Sequence, residues 1–475
     1  MRVDENMTPN PKNPMSKGPV INRRSFLAGS AALAMVPAHA RAEVAPRLVA
    51  RPGMARLLPD DYPETPVWGY EGGVPGPELR LKQGGRLVRQ LVNELPQATS
   101  VHWHGVRVPN AMDGVPGMTQ QAVAPGDTFT YDFTPPDAGT FWYHSHNQST
   151  EQIARGLYGV LIVDEADPLD VDHDISVVLD DWRLSETGAI TDDFDRMHDW
   201  THAGRIGNFP TAALSPQLSQ LRQHDRLRLR LVNTAVDRIM VVGLHGMTGA
   251  IVALDGMPLK TPEQTDHVIL GPAQRADFIT DVTAEVGEQV ILALHEGEDA
   301  TVLSHFDVVA GGASVARGAI DPLPANPLAP LTSAEGAKQA RLIMEGGAMG
   351  RLRQGIWKGD VLSIRDLVAE GQVWTFNGVA GLPEVPLIEV SAGEIVEIPM
   401  QNDTAFPHAM HLHGHHFQER LADGTFGPLR DTLLLGRGET RSIVFRADNP
   451  GDWLLHCHML SHQKAGMKTW IRVVS

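Results

Sequence analysis

Ten of the 21 histidines fall into four short clusters: His102/His104, His144/His146, His408/His411/His413 and His456/His458/His462. Every cluster contains an H-x-H pair. On a β-strand, residues i and i+2 point to the same face, so each pair offers two imidazoles side by side. One such pair alone is commonly a solvated or core-satisfied feature. Four of them in duplicated positions describe a metal centre, and imidazole suits copper, zinc, nickel or iron. Cys457, the only cysteine, narrows the choice. It stands between His456 and His458 and faces the opposite side of the strand. His462 and Met467 follow it and His408 lies upstream. One thiolate, two imidazoles and a weak thioether are the donors of a blue-copper electron-transfer site. His456 and His458 point away from that site, toward the remaining pairs. One strand thereby joins a one-electron site to a second metal cluster over roughly 10 Å, given a rise of about 3.3 Å per residue plus side chains.

The elements that must hold these residues repeat along the chain. Arg86-Leu-Val-Arg-Gln-Leu-Val-Asn93 recurs as Arg226-Leu-Arg-Leu-Arg-Leu-Val-Asn233 and, more loosely, as Glu394-Ile-Val-Glu-Ile-Pro-Met-Gln-Asn402. Each alternates apolar and polar residues, the period of a half-buried strand. Asn93 lies nine residues before His102, and Asn402 nine before His411. Val101-His-Trp-His-Gly105 matches Met410-His-Leu-His-Gly414, and Gly139-Thr-Phe-Trp-Tyr-His-Ser-His146 matches Gly451-Asp-Trp-Leu-Leu-His-Cys-His458. The middle copy has Val241-Val-Gly-Leu-His-Gly246 and Ile291-Leu-Ala-Leu-His295 in these places and has lost the pairs. Short strands, Gly/Pro turns and little helical periodicity predict an all-β protein of three Greek-key sandwiches. The expected organisation is residues 41–167, 168–310 and 339–475, with 311–338 as an Ala/Pro/Gly-rich linker.

The motifs H-W-H-G, H-S-H, H-x-x-H-x-H-G and H-C-H-x-x-x-H-x-x-x-x-M resemble the four copper signatures of the multicopper oxidases, and the resemblance runs from about Pro59 to the C-terminus. It implies cupredoxin-like domains and four coppers per chain: one type 1 copper, and a trinuclear type 2/type 3 cluster between the first and third domains. By position, the type 1 ligands would be His408, Cys457, His462 and Met467. Type 2 would be held by His102 and His411. The type 3 pair would be held by His104, His144 and His458, and by His146, His413 and His456. In the first domain Thr99 stands in the place of His408 and Ser145 in that of Cys457; hydroxyls cannot replace thiolate, so no second type 1 site is expected there. The implied reaction takes electrons singly from a donor and reduces O2 to two waters. Asp113, after H-W-H-G, holds the place where the family often has an acidic proton donor near type 2 copper; its plainer reading is a turn residue before Gly114. Ser461 stands where some members carry a second carboxylate. His415 and His416 have no place in the ligand set and read as supporting residues.

Composition bounds the partners. The formal charge is −17, and the first 40 residues carry five basic and two acidic groups, so the remainder is near −20. So acidic a body is a poor partner for nucleic acid or an anionic membrane. A single cysteine excludes an intramolecular disulfide. Asn22-Arg23-Arg24-Ser25-Phe26-Leu27, a short apolar run to Val36 and Ala38-His39-Ala40 read as a twin-arginine signal peptide, so the export machinery is an expected partner and the periplasm the expected location. The donors expected first are phenols or aromatic amines, as in laccases. Metal ions, Cu(I), Fe(II) or Mn(II), come second, since Met344 and Met349 are the nearest approach to a methionine pair before the type 1 site and read as packing residues. A non-enzymatic scaffold comes last, because every ligand is present.

Overall fold

The computed structural model describes residues 45–312 and 317–475. The signal predicted for residues 1–40 lies outside them. The described chain is built almost wholly of strands, gathered in three sequence blocks. No helix among the described residues is long and apolar enough to cross a membrane.

The first block forms two four-stranded sheets. One of them sets Leu79–Lys82, Tyr158–Asp164, Gly139–His144 and His102–His104 side by side. The third block repeats the arrangement, with Ile388–Ser391, Lys468–Val474, Gly451–Cys457, His408–Leu412 and Thr432–Leu435 in a five-stranded sheet. Antiparallel register sets His102 opposite His144 in the first block, and His411 opposite His456 in the third. The repeats seen in sequence therefore occupy matching sheet positions. Buried residues of these two blocks form one continuous apolar core, with Trp103, Trp374 and Trp453 fully enclosed.

The middle block, of a six- and a five-stranded sheet, has its own core. Its strand Arg226–Asn233 departs from the half-buried expectation: every residue is buried. The alternating arginines do not face water. Arg228 pairs with Asp277 at 2.7 Å and with Glu165 at 2.9 Å; Arg230 reaches Asp174 at 2.6 Å and the Thr140 hydroxyl at 2.9 Å. The polar face thus packs on the first block through charges satisfied inside the protein.

The segment from residue 317 to the strand Lys338–Gln339 is irregular and pinned. Arg317 pairs with Asp172, Asn326 exchanges two 2.8 Å hydrogen bonds with Ala138, Leu323 is buried, and the Leu331 amide donates to Gln418.

Arg275 fastens all three blocks. Its buried guanidinium donates to both oxygens of Asp431, at 2.9 and 2.6 Å, and to the carbonyls of Thr140 and Ala273. Removing one partner of a buried pair strands the other charge. Arg275→Met should lower unfolding free energy by about 3–5 kcal/mol, and Asp431→Asn in the same chain should recover part of it. Chemical denaturation of the single and double variants checks this; a loss in Arg275→Met under about 1 kcal/mol would contradict it.

Candidate metal centre

The eight histidines of the H-x-H pairs meet between the first and third blocks. His102 stacks on His413 with ring centroids 4.0 Å apart, and His104 stacks on His411 at 3.8 Å. His144 lies 5.2 Å from His458, and His146 5.6 Å from His456, between ring centroids. Three sets bring potential ligand atoms together among these rings: His102/His104/His144, His102/His411/His413 and His146/His413/His456. His408, Cys457 and His462 form a separate group, with Cys457 Sγ 3.7 Å from His408 Nδ1 and 3.9 Å from His462 Nδ1. Met467 is buried with them, and its carbonyl accepts from the Cys457 amide at 3.1 Å. Eleven of the residues expected as ligands thus gather in two pockets, and the backbone contact with Cys457 puts Met467 beside the Cys457 pocket. His456 and Cys457, adjacent in the strand, fall in different ones, as alternation requires.

Hydrogen bonding fixes which ring nitrogen is free. A carbonyl or carboxylate can only accept, so a ring nitrogen facing one must carry the proton. Nδ1 donates to the carbonyl of Asp113 from His102, of Asp431 from His411, of Ser145 from His144 and of Cys457 from His456. His413 Nδ1 donates to Asp113 Oδ2 at 2.9 Å. Each of these leaves a bare Nε2 turned inward. His104 does the reverse, giving Nε2 to Asp431 Oδ1 at 3.2 Å and leaving Nδ1 free. His462 donates Nε2 to the His202 carbonyl at 2.7 Å, leaving Nδ1 toward Cys457.

Those free lone pairs are the test of metal fit. His102 Nε2, His104 Nδ1, His144 Nε2 and His411 Nε2 are buried acceptors without a partner, and His458 adds one more, since neither of its nitrogens has a partner and one of them carries the ring proton. Two bare Nε2 atoms, of His413 and His456, face each other at 3.0 Å. Buried, unpartnered acceptors cost free energy unless a cation occupies the space between them. Burial also keeps the rings neutral. It drives His144, His146, His408, His413, His456 and His458 well below the usual imidazole range, with neighbouring imidazoles adding to the effect. His462 falls to about 4 through burial, despite its bond to His202. Burial pushes the Cys457 thiol up, so its thiolate requires a bound metal. The donor set fits copper at both pockets.

Asp113 closes the short helical turn Asn110–Met112; its buried carboxylate accepts from His413 through Oδ2, while Oδ1 lies 3.3 Å from His102 Nδ1, which gives its proton to the Asp113 carbonyl. His415 and His416 are buried outside all of the ligand groups; they meet the carbonyls of His413 and Asp255. In the first block, Thr99 and Ser145 hydroxyls lie 3.3 Å apart, and both donate to Gln152 Oε1.

Three carboxylates of this region escaped the sequence reading. Burial pushes the Asp431 pKa up, but Arg275 and His104 overcome it and hold the carboxyl well below its ordinary value. Asp255, on the other side of Arg275, is raised to about 6 by burial and by Asp431. Asp237 is buried in the middle block and also raised to about 6 by burial; it accepts from the Ser461 hydroxyl at 2.6 Å. Gly105, with φ of +81°, is required by this arrangement, because a Cβ there would collide with the Arg275–Asp431 pair.

Residues 53–168, 192–308 and 358–475 each match the multicopper oxidase family. The chain belongs to the multicopper oxidase family. It is 30% identical to multicopper oxidase MmcO of Mycobacterium tuberculosis over 84% of this chain and 82% of that protein. It is 29% identical to Laccase-1 of Botryotinia fuckeliana over 86% of this chain and 79% of the relative. The crystal structure of Lac15 from a marine microbial metagenome is 42% identical, with a TM-score of 0.75, covering 90% of this chain and 100% of that one. This multicopper oxidase is therefore built of cupredoxin-like domains. It is a copper-dependent oxidoreductase that takes electrons from a reducing substrate and uses O2 as acceptor.

The neutral buried rings make a pH prediction for the metal-free oxidase. Histidines in the unfolded chain take protons near pH 6.5, whereas the native rings resist until much lower pH. Stability should therefore fall as pH drops from about 7 to 4, by about 1.4 kcal/mol per pH unit for each ring that stays neutral. Denaturation midpoints across that window check this; a flat profile between about pH 6.5 and 5 would contradict it.

Proposed function

We propose that this oxidase is laccase-like, oxidising phenols or aromatic amines one electron at a time and reducing O2 to two waters. The observation that carries the reading is the His456-Cys457-His458 strand, which touches both ligand pockets. In this reading His408, Cys457, His462 and Met467 hold type 1 copper, and His102 with His411 holds type 2. One type 3 copper takes His104, His144 and His458; the other takes His146, His413 and His456. Bound copper supplies one-electron acceptance at the first pocket and multi-electron storage at the second. The three-domain division at 41–167, 168–310 and 339–475, with its linker 311–338, and twin-arginine export to the periplasm belong to the same reading; they rest on sequence.

The chain's own groups divide the remaining work. The donor-facing side of the first pocket is the His462 ring edge, which meets the His202 carbonyl beside the helix Met197–Thr201. A cavity of about 370 Å³ leads to His146, the half-buried member of the histidine cluster, and gives O2 and water a path. Asp113 orients His102 and His413, and its Oδ1, 3.3 Å from His102 Nδ1, can hold a proton beside them. Asp237, one hydrogen bond beyond Ser461, offers a second carboxylate where Ser461 itself has none.

A metal-ion donor is the second reading, and one observation favours it. Met344 is buried in a strand, as packing requires, but Met349 is 78% exposed and Met197 55% exposed. The Ala348 amide donates to the Thr201 carbonyl, which brings the 349 loop to the helix of Met197. Exposed thioethers on this side suit Cu(I).

Oxygen uptake by the copper-loaded oxidase with a methoxyphenol, then with Cu(I), separates the two readings. Faster uptake with the phenol, unchanged in Met197→Leu/Met349→Leu, is the expected result. Preference for Cu(I), lost in that variant, would overturn it. Asp113→Asn should leave anaerobic reduction of the blue copper by a phenol nearly unchanged and lower O2 turnover by roughly 10²–10⁴-fold. A fully copper-loaded variant turning over at the wild-type rate would remove Asp113 from proton delivery.

A further inference from the structure

The middle block is not empty of histidines where its neighbours have theirs. In its five-stranded sheet Gly243 stands opposite Ala293, in the same antiparallel relation as His102 to His144 and His411 to His456. Two residues beyond Gly243, His245 takes the place of His104 and His413. Two residues beyond Ala293, His295 takes the place of His146 and His458. The block has lost one member of each pair, at Gly243 and Ala293, and kept the other.

The two retained rings reach toward each other across the space left by Gly243. Their Nε2 atoms are 3.4 Å apart. A Cβ on Gly243 would collide with His295 Nε2 and come within 3.2 Å of His245 Nε2, so the missing side chain is what lets the rings meet. On the other side of the same strand, register sets His267 opposite Gly243, as Thr432 is set opposite His411. Paired residues in an antiparallel ladder share a face, so His267 lies on the same face as the other two. Its Nδ1 donates to the neighbouring Asp266 Oδ1 at 2.9 Å, and the close approach is that of His245 and His295 alone. His245 and His267 are exposed and His295 is half-buried, whereas every ring of the main cluster except His146 is buried.

We propose that His245 and His295 form a surface site for one further divalent transition-metal ion, with Cu(II) the preferred occupant. Two imidazole nitrogens bound about 2.0–2.1 Å from one metal ion lie about 2.9 Å apart at the right angle of tetragonal Cu(II) and about 3.4 Å apart at a tetrahedral angle, so the 3.4 Å separation needs only a small turn of these rings to hold Cu(II). An all-imidazole site holds Cu(II) more tightly than the other first-row divalent ions, and it has no thiolate to select Cu(I). Exposure makes the ion exchangeable, which distinguishes it from the enclosed coppers.

Cu(II) titrated into the fully copper-loaded, blue oxidase tests this by calorimetry and electron paramagnetic resonance. The wild type should take up one additional equivalent with a nitrogen-ligated signal. His245→Gln/His295→Gln should lose that equivalent, while its blue band and phenol turnover stay unchanged. His267→Gln, which leaves the converging pair intact, should keep the equivalent. Gly243→Ala, which removes no ligand, should weaken the site by forcing the rings apart. No additional equivalent in the wild type, or the same equivalent at unchanged affinity in the double variant, would overturn the proposal.

Discussion

The alternation of side chains along Gly451–Cys457 is the constraint on which the rest depends. Successive residues of a strand face opposite ways, so His456 and His458 cannot share a pocket with Cys457. An electron accepted at the thiolate side therefore has a short covalent route to the imidazole side. Everything else holds partners against those two faces. The His408–Leu412 strand pairs beside Cys457 and contributes to both pockets: His408 to one, His411 to the other. The first block supplies the opposing wall of the cluster, and it shares one apolar core with the third.

Enclosing so many neutral imidazoles creates a problem that the middle block helps to solve. It carries none of the twelve expected ligands, but it furnishes the groups that make the two pockets stable. Arg275 neutralises Asp431 behind His104 and His411. Asp255 and Asp237 add buried carboxylates, and the His202 carbonyl fixes the ring of His462. Asp113 and Asp431 play parallel parts, each meeting one histidine of the first block and one of the third. The centre is thus a product of contacts between blocks, and no block could present it alone.

What the sequence made legible was local or repeated. The H-x-H pairs, the single cysteine at its offset from His462 and Met467, and the Asn-to-His spacing of the outer repeats led to the all-β fold and to the two pockets. Asp431 and Arg275 were not legible. Their partners lie 156 residues apart, and 327 separate His104 from Asp431, with no periodic signal to mark either. Ser461 suggested a missing carboxylate; Asp237, which answers it, comes from 224 residues upstream. The Arg226–Asn233 repeat was legible as a strand, but its alternation marked an interface with the first block in place of a wet face. In the middle copy, His245 and His295 read as remnants, because no spacing along the chain shows that their rings converge over Gly243.

Removal of the thiolate tests the account most directly. Cys457→Ser leaves the eight cluster histidines intact and breaks the one side chain that faces the donor pocket from the connecting strand. The variant should lose the blue absorption band and donor-driven O2 uptake, yet still bind copper at the cluster. A variant that keeps the blue band with full copper content, and still couples phenol oxidation to O2 uptake, would contradict it.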